Sequence, residues 1–271
     1  MRFPPLSVLF AALASVACAE RAAHTLTLSG STSVQPLAEK WAETYQAQHP
    51  ELAIAVQGGG STAGVQAALS GASQIGLSSR LLTATELREV RPIPVARDGI
   101  AVIVHPSNPL GNLSLEAVKS IYSGRIKDWR RLYGPTKAIT VITREEGSGT
   151  RAAFEGLVMS RELICSSALV QDSTGAVRQM VSSDPAAIGY ISIGLVDTSV
   201  KAVRLSGVVA SETNIDHGDY PLVRPFLFVV RGEPNPQTQA FIAWVSGPAG
   251  RELARREGML PASEYGPDAR R

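Results

Sequence analysis

Short apolar runs alternate along the chain with segments in which apolar residues recur every three or four positions. Apolar runs of this length, bounded by glycine- and serine-rich stretches, are typical of strands. We predict strands at Leu26–Leu28, Ala53–Val56, Ile75–Leu77, Ile100–Val104, Ile139–Ile142, Ile188–Ile191 and Phe226–Val230.

Segments with a helical period lie between most of these strands. The clearest begins at Val34, and apolar side chains follow at Leu37, Ala38, Trp41 and Tyr45, on one face of a helix. We predict further helices around Val65–Leu69, Leu115–Tyr122, Ala153–Leu157, Val177–Val181, Phe241–Val245 and from Pro248 to a cap at Gly258. The alternation of strand and helix predicts an α/β fold with a mainly parallel sheet, in which ligands bind at the carboxyl ends of the strands.

Three turns rich in glycine and hydroxyl residues connect a predicted strand to a predicted helix. They are Gly30–Ser33, Gly58–Gly64 and Arg144–Arg151. A helix N-terminus presents N–H groups without partners and a partial positive charge, and it therefore attracts anions. Glycine lets the backbone approach a ligand, and Ser and Thr add donors. Three such turns predict a cage for a small tetrahedral oxyanion.

The turns lie within longer motifs, at Gly30–Leu37, Gln57–Val65, Ile75–Arg80, Arg97–Val104, Ile121–Trp129, Arg144–Phe154, Ala187–Tyr190 and Ala240–Leu260. In order and spacing these motifs resemble the substrate-binding proteins of bacterial phosphate ABC transporters, a branch of the type II periplasmic binding proteins. The resemblance covers nearly all of residues 25–262. It implies two α/β lobes that close on one phosphate ion, each a mainly parallel sheet flanked by helices, joined by a two-strand hinge.

The resemblance also implies where the lobes begin and end. Residues 25–96 and 224–271 would form the first lobe, and residues 97–223 the second. The strands near Arg97 and Arg224 would make the hinge, with Asp98 in the hinge turn.

Carried over position by position, the resemblance implies phosphate ligands on both lobes: Thr32, Ser33, Ser61, Ser79, Arg144, Ser148, Gly149 and Thr150. Glu146 matches an acidic residue that pairs with Arg144 and lowers the positive charge of the cleft. Three further residues have supporting roles. Ser31 caps the first helix, Thr62 acts through its backbone or as a cap, and Arg80 latches the lobes or contacts the anion.

One ligand position departs from the best-known relatives. They carry an aspartate at the position of Ser79, and that aspartate accepts the proton of hydrogen phosphate. Many relatives instead carry Ser-Ser-Arg, as this chain does at residues 78–80. Ser79 can supply lone pairs in place of the carboxylate, but the change keeps another tetrahedral oxyanion (sulfate, arsenate or molybdate) as an alternative ligand.

Composition removes several other classes of function. The net charge is +2, with no basic run, so we expect no nucleic-acid partner. The chain has no G-x-S-x-G motif and no P-loop lysine, and its four histidines lie in no metal-ligand spacing. We therefore expect no catalytic residue, no metal and no cofactor. The enzyme alternative would place a nucleophile or a phosphoryl-transfer site in Gly147–Thr150.

The N-terminus has the pattern of an export signal. Arg2 precedes a mostly apolar stretch from Leu6 to Ala17, and Ala17-Cys18-Ala19 fits a cleavage site, so we predict a secretory signal at residues 1–19. Lipidation at Cys18 is the alternative. Cys165 is then the remaining cysteine, and we predict an inert, partly buried thiol.

Together these features predict a periplasmic phosphate receptor that delivers its ion to an ABC permease. We expect a monomer. A stand-alone phosphate sensor remains the alternative use of the same site.

Overall fold

The computed structural model describes residues 25–262. Its strands are β1 (Thr25–Gly30), β2 (Ala53–Gly58), β3 (Ile75–Ser78), β4 (Arg91–Val104), β5 (Asn112–Leu113), β6 (Thr140–Arg144), β7 (Leu169–Gln171), β8 (Ala187–Ser192), β9 (Lys201–Ala202), β10 (Arg204–Leu205), β11 (Val223–Val230) and β12 (Leu260–Pro261). Its α-helices are α1 (Gln35–Gln48), α2 (Ser61–Ser70), α3 (Leu115–Tyr122), α4 (Gly149–Phe154), α5 (Thr174–Ser183), α6 (Glu212–Asp216), α7 (Pro236–Ser246) and α8 (Pro248–Arg256). Single 3₁₀ or π turns lie at Glu86–Arg88, Trp129–Leu132, Glu155–Met159 and Ile193–Leu195. Every predicted strand and helix overlaps one of these elements.

Helix α1 confirms the apolar face that its sequence predicts. Leu37, Trp41 and Tyr45 are buried, whereas Lys40 lies on the exposed side. The Trp41 ring packs edge-on against Phe228 of β11, with ring centroids 5.7 Å apart. The amphipathic period therefore fixes which side of α1 covers the sheet.

The main sheet has the strand order β2-β1-β3-β11-β4-β8-β6-β7. Strand β1 pairs in parallel with β2 and β3, and β6 pairs in parallel with β7 and β8. Strands β4 and β11 are antiparallel to each other, and each is antiparallel to its other neighbour on this path. The α/β fold class is confirmed. The sheet is mixed rather than mainly parallel, because β4 and β11 carry the chain across the sheet in opposite directions.

Strand β4 is longer than its sequence predicts. We expected Ile100–Val104 with Pro92 and Pro94 outside the strand, but both prolines lie within it and pair with β11. On its other edge β4 pairs with β12 at Ala96 and Arg97, and with β8 from Ile100 onward. Proline is tolerated where one side of a strand needs no N–H donor, and the segment around Pro92 and Pro94 has such an edge.

Four hydrophobic clusters cover the sheet. Two of them draw their buried residues from 26–96 and 226–259, and the other two from 100–222. We call these the first half and the second half, and β4 and β11 run between them. Clusters on both faces explain why β3 and β8 are buried along their full length.

The predicted signal at residues 1–19, including Cys18, lies outside the described residues, as do residues 263–271. Between residues 25 and 262, no helix is both long and apolar enough to cross a membrane. Cys165 is partly buried, as its apolar neighbours predict, and its Sγ lies 3.4 Å from Ser167 Oγ.

Candidate anion-binding site

Four buried serine side chains meet where β1 and β3 end and α2 begins. Ser31 Oγ donates to Ser79 Oγ at 2.9 Å and lies 3.0 Å from Ser33 Oγ. Ser61 Oγ lies 3.3 Å from Ser79 Oγ and accepts the Ser79 backbone N–H at 3.0 Å. Three of these residues are predicted ligands, and Ser31, predicted as a capping residue, lies between Ser33 and Ser79. We call this group the serine cluster.

Glycine allows the loops around the serine cluster to touch. Gly30 has φ +140°, and a Cβ at this position would lie 2.3 Å from Leu77 O and 2.8 Å from Gly64 Cα. A side chain there would push β1 away from β3 and α2. The serines can therefore meet because residue 30 has no side chain.

The turn after β6 brings the second half against the serine cluster. Ser148 caps α4 by accepting the Arg151 N–H at 3.2 Å, and Gly149 follows it. A Cβ on Gly149 would lie 2.1 Å from Ser61 Oγ and 2.6 Å from Ser79 Oγ. The start of α4 and the serine cluster are thus in direct contact.

Thr32 Oγ1 lies 3.4 Å from Thr174 Oγ1 of the other half, and three further hydrogen bonds join the two halves around the same point. They are Thr62 N to Gly147 O at 3.1 Å, Thr174 N to Thr32 Oγ1 at 3.4 Å, and Thr150 Oγ1 to Ser33 Oγ at 3.5 Å. Thr150 is buried, whereas Thr62 is exposed and acts through its backbone, as one of its two predicted roles requires. The structure therefore brings the predicted hydroxyl residues of both halves to one place.

Arg144 is the last residue of β6, and its side chain is buried. Its Nε and Nη2 donate to the two carboxylate oxygens of Glu145 at 2.9 and 2.8 Å, and its Nη1 donates to Thr174 Oγ1 at 3.0 Å. The prediction that Glu146 pairs with Arg144 is wrong, because Glu146 is exposed. The chain turns directly after β6, with Ser148 N bonded to Glu145 O, and the Glu145 carboxylate lies back against the guanidinium.

Tyr190 supports the end of β6 from the neighbouring strand β8. Its hydroxyl lies 2.7 Å from Thr143 Oγ1 and accepts the Arg144 backbone N–H at 3.3 Å. Its ring stacks on Phe154, with centroids 4.1 Å apart. Burial raises the pKa of Tyr190 to about 12, so the hydroxyl stays neutral near pH 7.

A second buried ion pair lies beside the site, and only its position near the hinge was expected. Asp98 of β4 and Arg224 of β11 are register partners. Asp98 Oδ2 accepts from Arg224 Nε at 2.9 Å and from Nη2 at 2.7 Å, and Oδ1 accepts from Ser192 Oγ at 2.7 Å. Arg224 Nη1 donates to Thr150 Oγ1 at 2.7 Å. Burial raises the pKa of Asp98 and lowers the pKa of Arg224, while their mutual attraction acts against both changes.

Arg80 does not reach across the site. Its guanidinium donates to Glu86 at 2.7 and 2.9 Å, to Leu81 O at 3.0 Å and to Thr62 Oγ1 at 3.4 Å, all within the first half. This pairing corrects the expectation that Arg80 latches the lobes or contacts the anion. The hydrogen bonds from Arg80 lower the pKa of Glu86 to about 2.

The site has many donors and little net charge. Arg144 is paired with Glu145, and Arg224 with Asp98, so the formal charges of the two pairs cancel. In the part of the chain that the structure describes, no group of three His, Cys, Asp or Glu residues could hold a metal ion. The arrangement is suited to holding an oxyanion by hydrogen bonds, from hydroxyls, N–H groups and one guanidinium.

Three contributors to the site were missed or placed differently by sequence reasoning. Thr174 was not predicted as a site residue, although it contacts both Arg144 and Thr32. Glu145 was overlooked in favour of its neighbour. Arg224 was predicted only as part of a hinge strand at a lobe boundary, and its one available signal was a positive charge among the apolar residues of β11.

Comparisons with known proteins agree with this geometry. A family model described as a PBP superfamily domain matches residues 15–248. The phosphate-binding protein PstS of Bacillus subtilis is 30% identical over 250 residues, which cover 90% of this chain and 83% of that protein. PstS of Pseudomonas aeruginosa is also 30% identical, with 87% of this chain and 82% of that protein covered.

Solved structures show the same relationship. A candidate phosphate ABC transporter substrate-binding protein from Clostridium perfringens, solved with bound phosphate, has 36% identity and a TM-score of 0.85, covering 88% of this chain and 99% of that one. An ABC-type phosphate transport receptor from Vibrio cholerae has 38% identity and a TM-score of 0.72, covering 87% and 99%. The chain belongs to the PBP superfamily and, within it, to the family of phosphate-binding proteins.

Proposed function

We propose that this protein captures inorganic phosphate and delivers it to an ABC permease. The observation that carries the proposal is the contact of the serine cluster with the start of α4, from two halves of the chain. Arg144 lies beside it, because it donates to Thr174 Oγ1, which is 3.4 Å from Thr32 Oγ1. The names of the relatives, PstS and phosphate transport receptor, agree with this function.

In the proposed complex the ion lies between the two halves. Its ligands are the hydroxyl, N–H and guanidinium donors that the sequence predicts: Thr32, Ser33, Ser61, Ser79, Arg144, Ser148, Gly149 and Thr150. Because each arginine is already paired with a carboxylate, neutral dipoles supply most of the attraction. Charge-assisted hydrogen bonds contribute about 1.5–3 kcal/mol each, and a micromolar Kd needs only about −8 kcal/mol. The donors are sufficient even after the costs of desolvating the anion and closing the site.

We propose that the two halves are lobes that open and close. Residues 25–96 and 224–271 form the first lobe, residues 97–223 form the second, and β4 and β11 are the hinge strands. Support comes from the hydrophobic clusters, whose membership changes near Gly99 on β4. In the open state the cross-half bonds, such as Thr62 N to Gly147 O, would be broken.

We propose that the chain is exported by the signal at residues 1–19 and acts outside the cytoplasm as a monomer, free in the periplasm or tethered by lipid at Cys18. It binds no nucleic acid and is not an enzyme. Titration calorimetry on the mature, ligand-stripped protein tests the central claim. Phosphate should bind with micromolar or tighter affinity, and an absence of phosphate binding would refute the function. Phosphatase turnover that Ser148→Ala abolishes would overturn the assignment as a binding protein.

Ser79 decides between phosphate and other tetrahedral oxyanions. Its Oγ accepts from Ser31, which leaves a lone pair for the proton of hydrogen phosphate. We expect Ser79→Ala to lower the ratio of phosphate to sulfate affinity by about tenfold, which corresponds to about 1.4 kcal/mol. Competition calorimetry measures this ratio. An unchanged ratio would remove Ser79 from the selectivity mechanism. Tighter binding of sulfate, arsenate or molybdate than of phosphate by the wild type would favour the alternative receptor.

The delivery step has its own test. Co-purification of the tagged protein with an ABC permease, and loss of phosphate uptake in a deletion strain, would support transport. Normal uptake in that strain would favour the stand-alone phosphate sensor.

A further inference from the structure

The Asp98–Arg224 pair has no place in the predicted ligand set, yet it touches the site. The two side chains are 0% and 1% exposed. Three hydrogen bonds hold the Asp98 carboxylate, two from Arg224 and one from Ser192. The Arg224 guanidinium also lies 5.4 Å from the centre of the Phe226 ring. Arg224 is therefore held in one position by its surroundings.

Nη1 of Arg224, the guanidinium nitrogen that does not bond Asp98, contacts a predicted ligand of the anion. Arg224 Nη1 donates to Thr150 Oγ1 at 2.7 Å. A hydroxyl has one proton and two lone pairs, so the bond from Arg224 occupies a lone pair and directs the Thr150 proton elsewhere. Its acceptor in this structure, Ser33 Oγ, is at the long distance of 3.5 Å. The Thr150 proton is thus available to a stronger acceptor at the same place.

A purely stabilising role explains this pair poorly. Replacing a buried ion pair with apolar residues of similar size is often neutral or stabilising. The contact to Thr150, in contrast, has a defined direction, because Arg224 can only donate and the Thr150 hydroxyl must accept. A donor that carries positive charge also polarises the hydroxyl that accepts from it, and this strengthens the bond that the hydroxyl donates onward.

We propose that Arg224, anchored by Asp98, is a positioning residue for the bound oxyanion: it fixes the Thr150 hydroxyl as a donor toward the anion. This inference rests on the proposed phosphate binding. It makes the strands β4 and β11 part of the binding machinery, because the chain of contacts runs from Ser192 through Asp98, Arg224 and Thr150 to the ion.

A double-mutant cycle tests the proposal on the full mature chain, with phosphate as the probe. Arg224→Lys keeps the charge opposite Asp98 but lacks the planar fork, and Thr150→Val removes the hydroxyl at nearly constant volume. We expect each variant to weaken phosphate binding by about tenfold, the usual size for one charge-assisted bond. If Arg224 acts through Thr150, the double variant should match Thr150→Val within about twofold. In a Thr150→Ser background, which keeps the hydroxyl, Arg224→Lys should again cost about tenfold.

The proposal would be overturned if the loss of phosphate affinity in the double variant equalled the product of the two single losses, because Arg224 would then act independently of Thr150. Tyr220→Phe is the matched control: it removes the bond from a buried hydroxyl to Ile100 O on β4 and leaves the hydrogen bonds among Asp98, Arg224 and Thr150 in place. Its phosphate Kd should stay unchanged, and a loss as large as that of Arg224→Lys would show general loosening of β4 instead.

Ser192→Ala keeps the test open if Arg224→Lys does not fold. It removes one hydrogen bond to Asp98 Oδ1 and leaves the ion pair in place. We expect binding to weaken about threefold, less than for direct loss of a charge-assisted bond, with no further loss in the Thr150→Val background. Losses that multiply would again overturn the proposal. Wild-type protein that binds no phosphate would refute the proposed function itself, so the two failures are distinguishable.

Discussion

Arg144 and Arg224 are both buried, and each is paired with a carboxylate, but the two pairs are built differently. Arg144 pairs with its sequence neighbour Glu145, whose side chain remains 31% exposed. Arg224 pairs with Asp98, which lies 126 residues away on the adjacent strand and is fully enclosed. The first guanidinium also reaches Thr174 at the proposed anion site, whereas the second reaches only the Thr150 hydroxyl.

This difference in burial indicates two different roles for an arginine–carboxylate pair. A local, partly solvated pair can change its geometry at little cost when a ligand arrives, because water still screens the carboxylate. An enclosed pair on two strands cannot, since losing either partner leaves an unpaired charge in the interior. We therefore assign ligand binding to Arg144 and positioning to Arg224, and the following measurements compare them.

The largest expected difference concerns stability. Asp98→Asn leaves the Arg224 charge buried without a counterion, and we expect the free energy of unfolding to fall by about 3–5 kcal/mol. Glu145→Gln should cost less, about 1–2 kcal/mol, because its carboxylate is partly exposed and the buried Arg144 keeps its bonds to Thr174 Oγ1 and to backbone carbonyls. Urea unfolding of both ligand-free variants measures the two losses. Similar losses would mean that the two pairs do not differ as described.

Affinity should show the opposite order. Arg144→Met removes the guanidinium that we assign to ligand binding, and we expect phosphate affinity to fall by about 100-fold or more, since two charge-assisted bonds to the ion would be worth at least about 3 kcal/mol. Arg224→Lys should cost only about tenfold. Arg130→Met is the control, because Arg130 is largely exposed and pairs with Asp128. A weaker effect at Arg144 than at Arg224 would reverse the assignment.

Gly149→Ala tests whether both arginines depend on the same closed contact. The new Cβ would lie 2.1 Å from Ser61 Oγ, so the second half could not approach the serine cluster. We expect phosphate affinity to fall by about 10- to 30-fold, or about 1.4–2 kcal/mol, with folding retained. Gly156→Ala, where a Cβ meets nothing within 4 Å, should bind as the wild type does. Unchanged binding in Gly149→Ala would remove this contact from the bound state.

The smallest expected effect comes from a third pair, Arg80–Glu86, which lies within the first half and serves as a reference. Arg80 lowers the pKa of Glu86 from 4.5 to about 2, so the pair stabilises the fold above pH 4.5 and loses this contribution as pH falls toward 2. Relative to Glu86→Gln, the wild type should gain roughly 1 kcal/mol at pH 6 and less at pH 3. Unfolding at several pH values measures the difference. A pH-independent difference would contradict the lowered pKa.

The local parts of the fold and site were predictable from sequence. The period of Leu37, Trp41 and Tyr45 identified α1, and the turn compositions located the hydroxyls that the structure brings together. Other expectations failed where a choice depended on packing. Glu146 and Glu145 are adjacent and chemically identical, and only the turn after β6 decides which one meets Arg144. Pro92 and Pro94 look like strand breakers until β4 is seen to have a free edge there.

By itself, the sequence determined where most strands and helices lie and where hydroxyl-rich turns follow strands, because apolar period, capping residues and glycine turns act over a few neighbouring positions. The tertiary structure alone decided which charges pair and which hydroxyls receive them. Asp98, Ser192 and Arg224 are distant in sequence and meet because β4 pairs antiparallel with both β11 and β8, and Thr150 joins them because β6, which precedes α4, pairs with β8. Because an unpaired charge is costly in the interior that they share, Asp98 and Arg224 must pair there. The register of β4 and β11, rather than any local motif, makes this pairing possible and places Arg224 beside Thr150 of the proposed anion site.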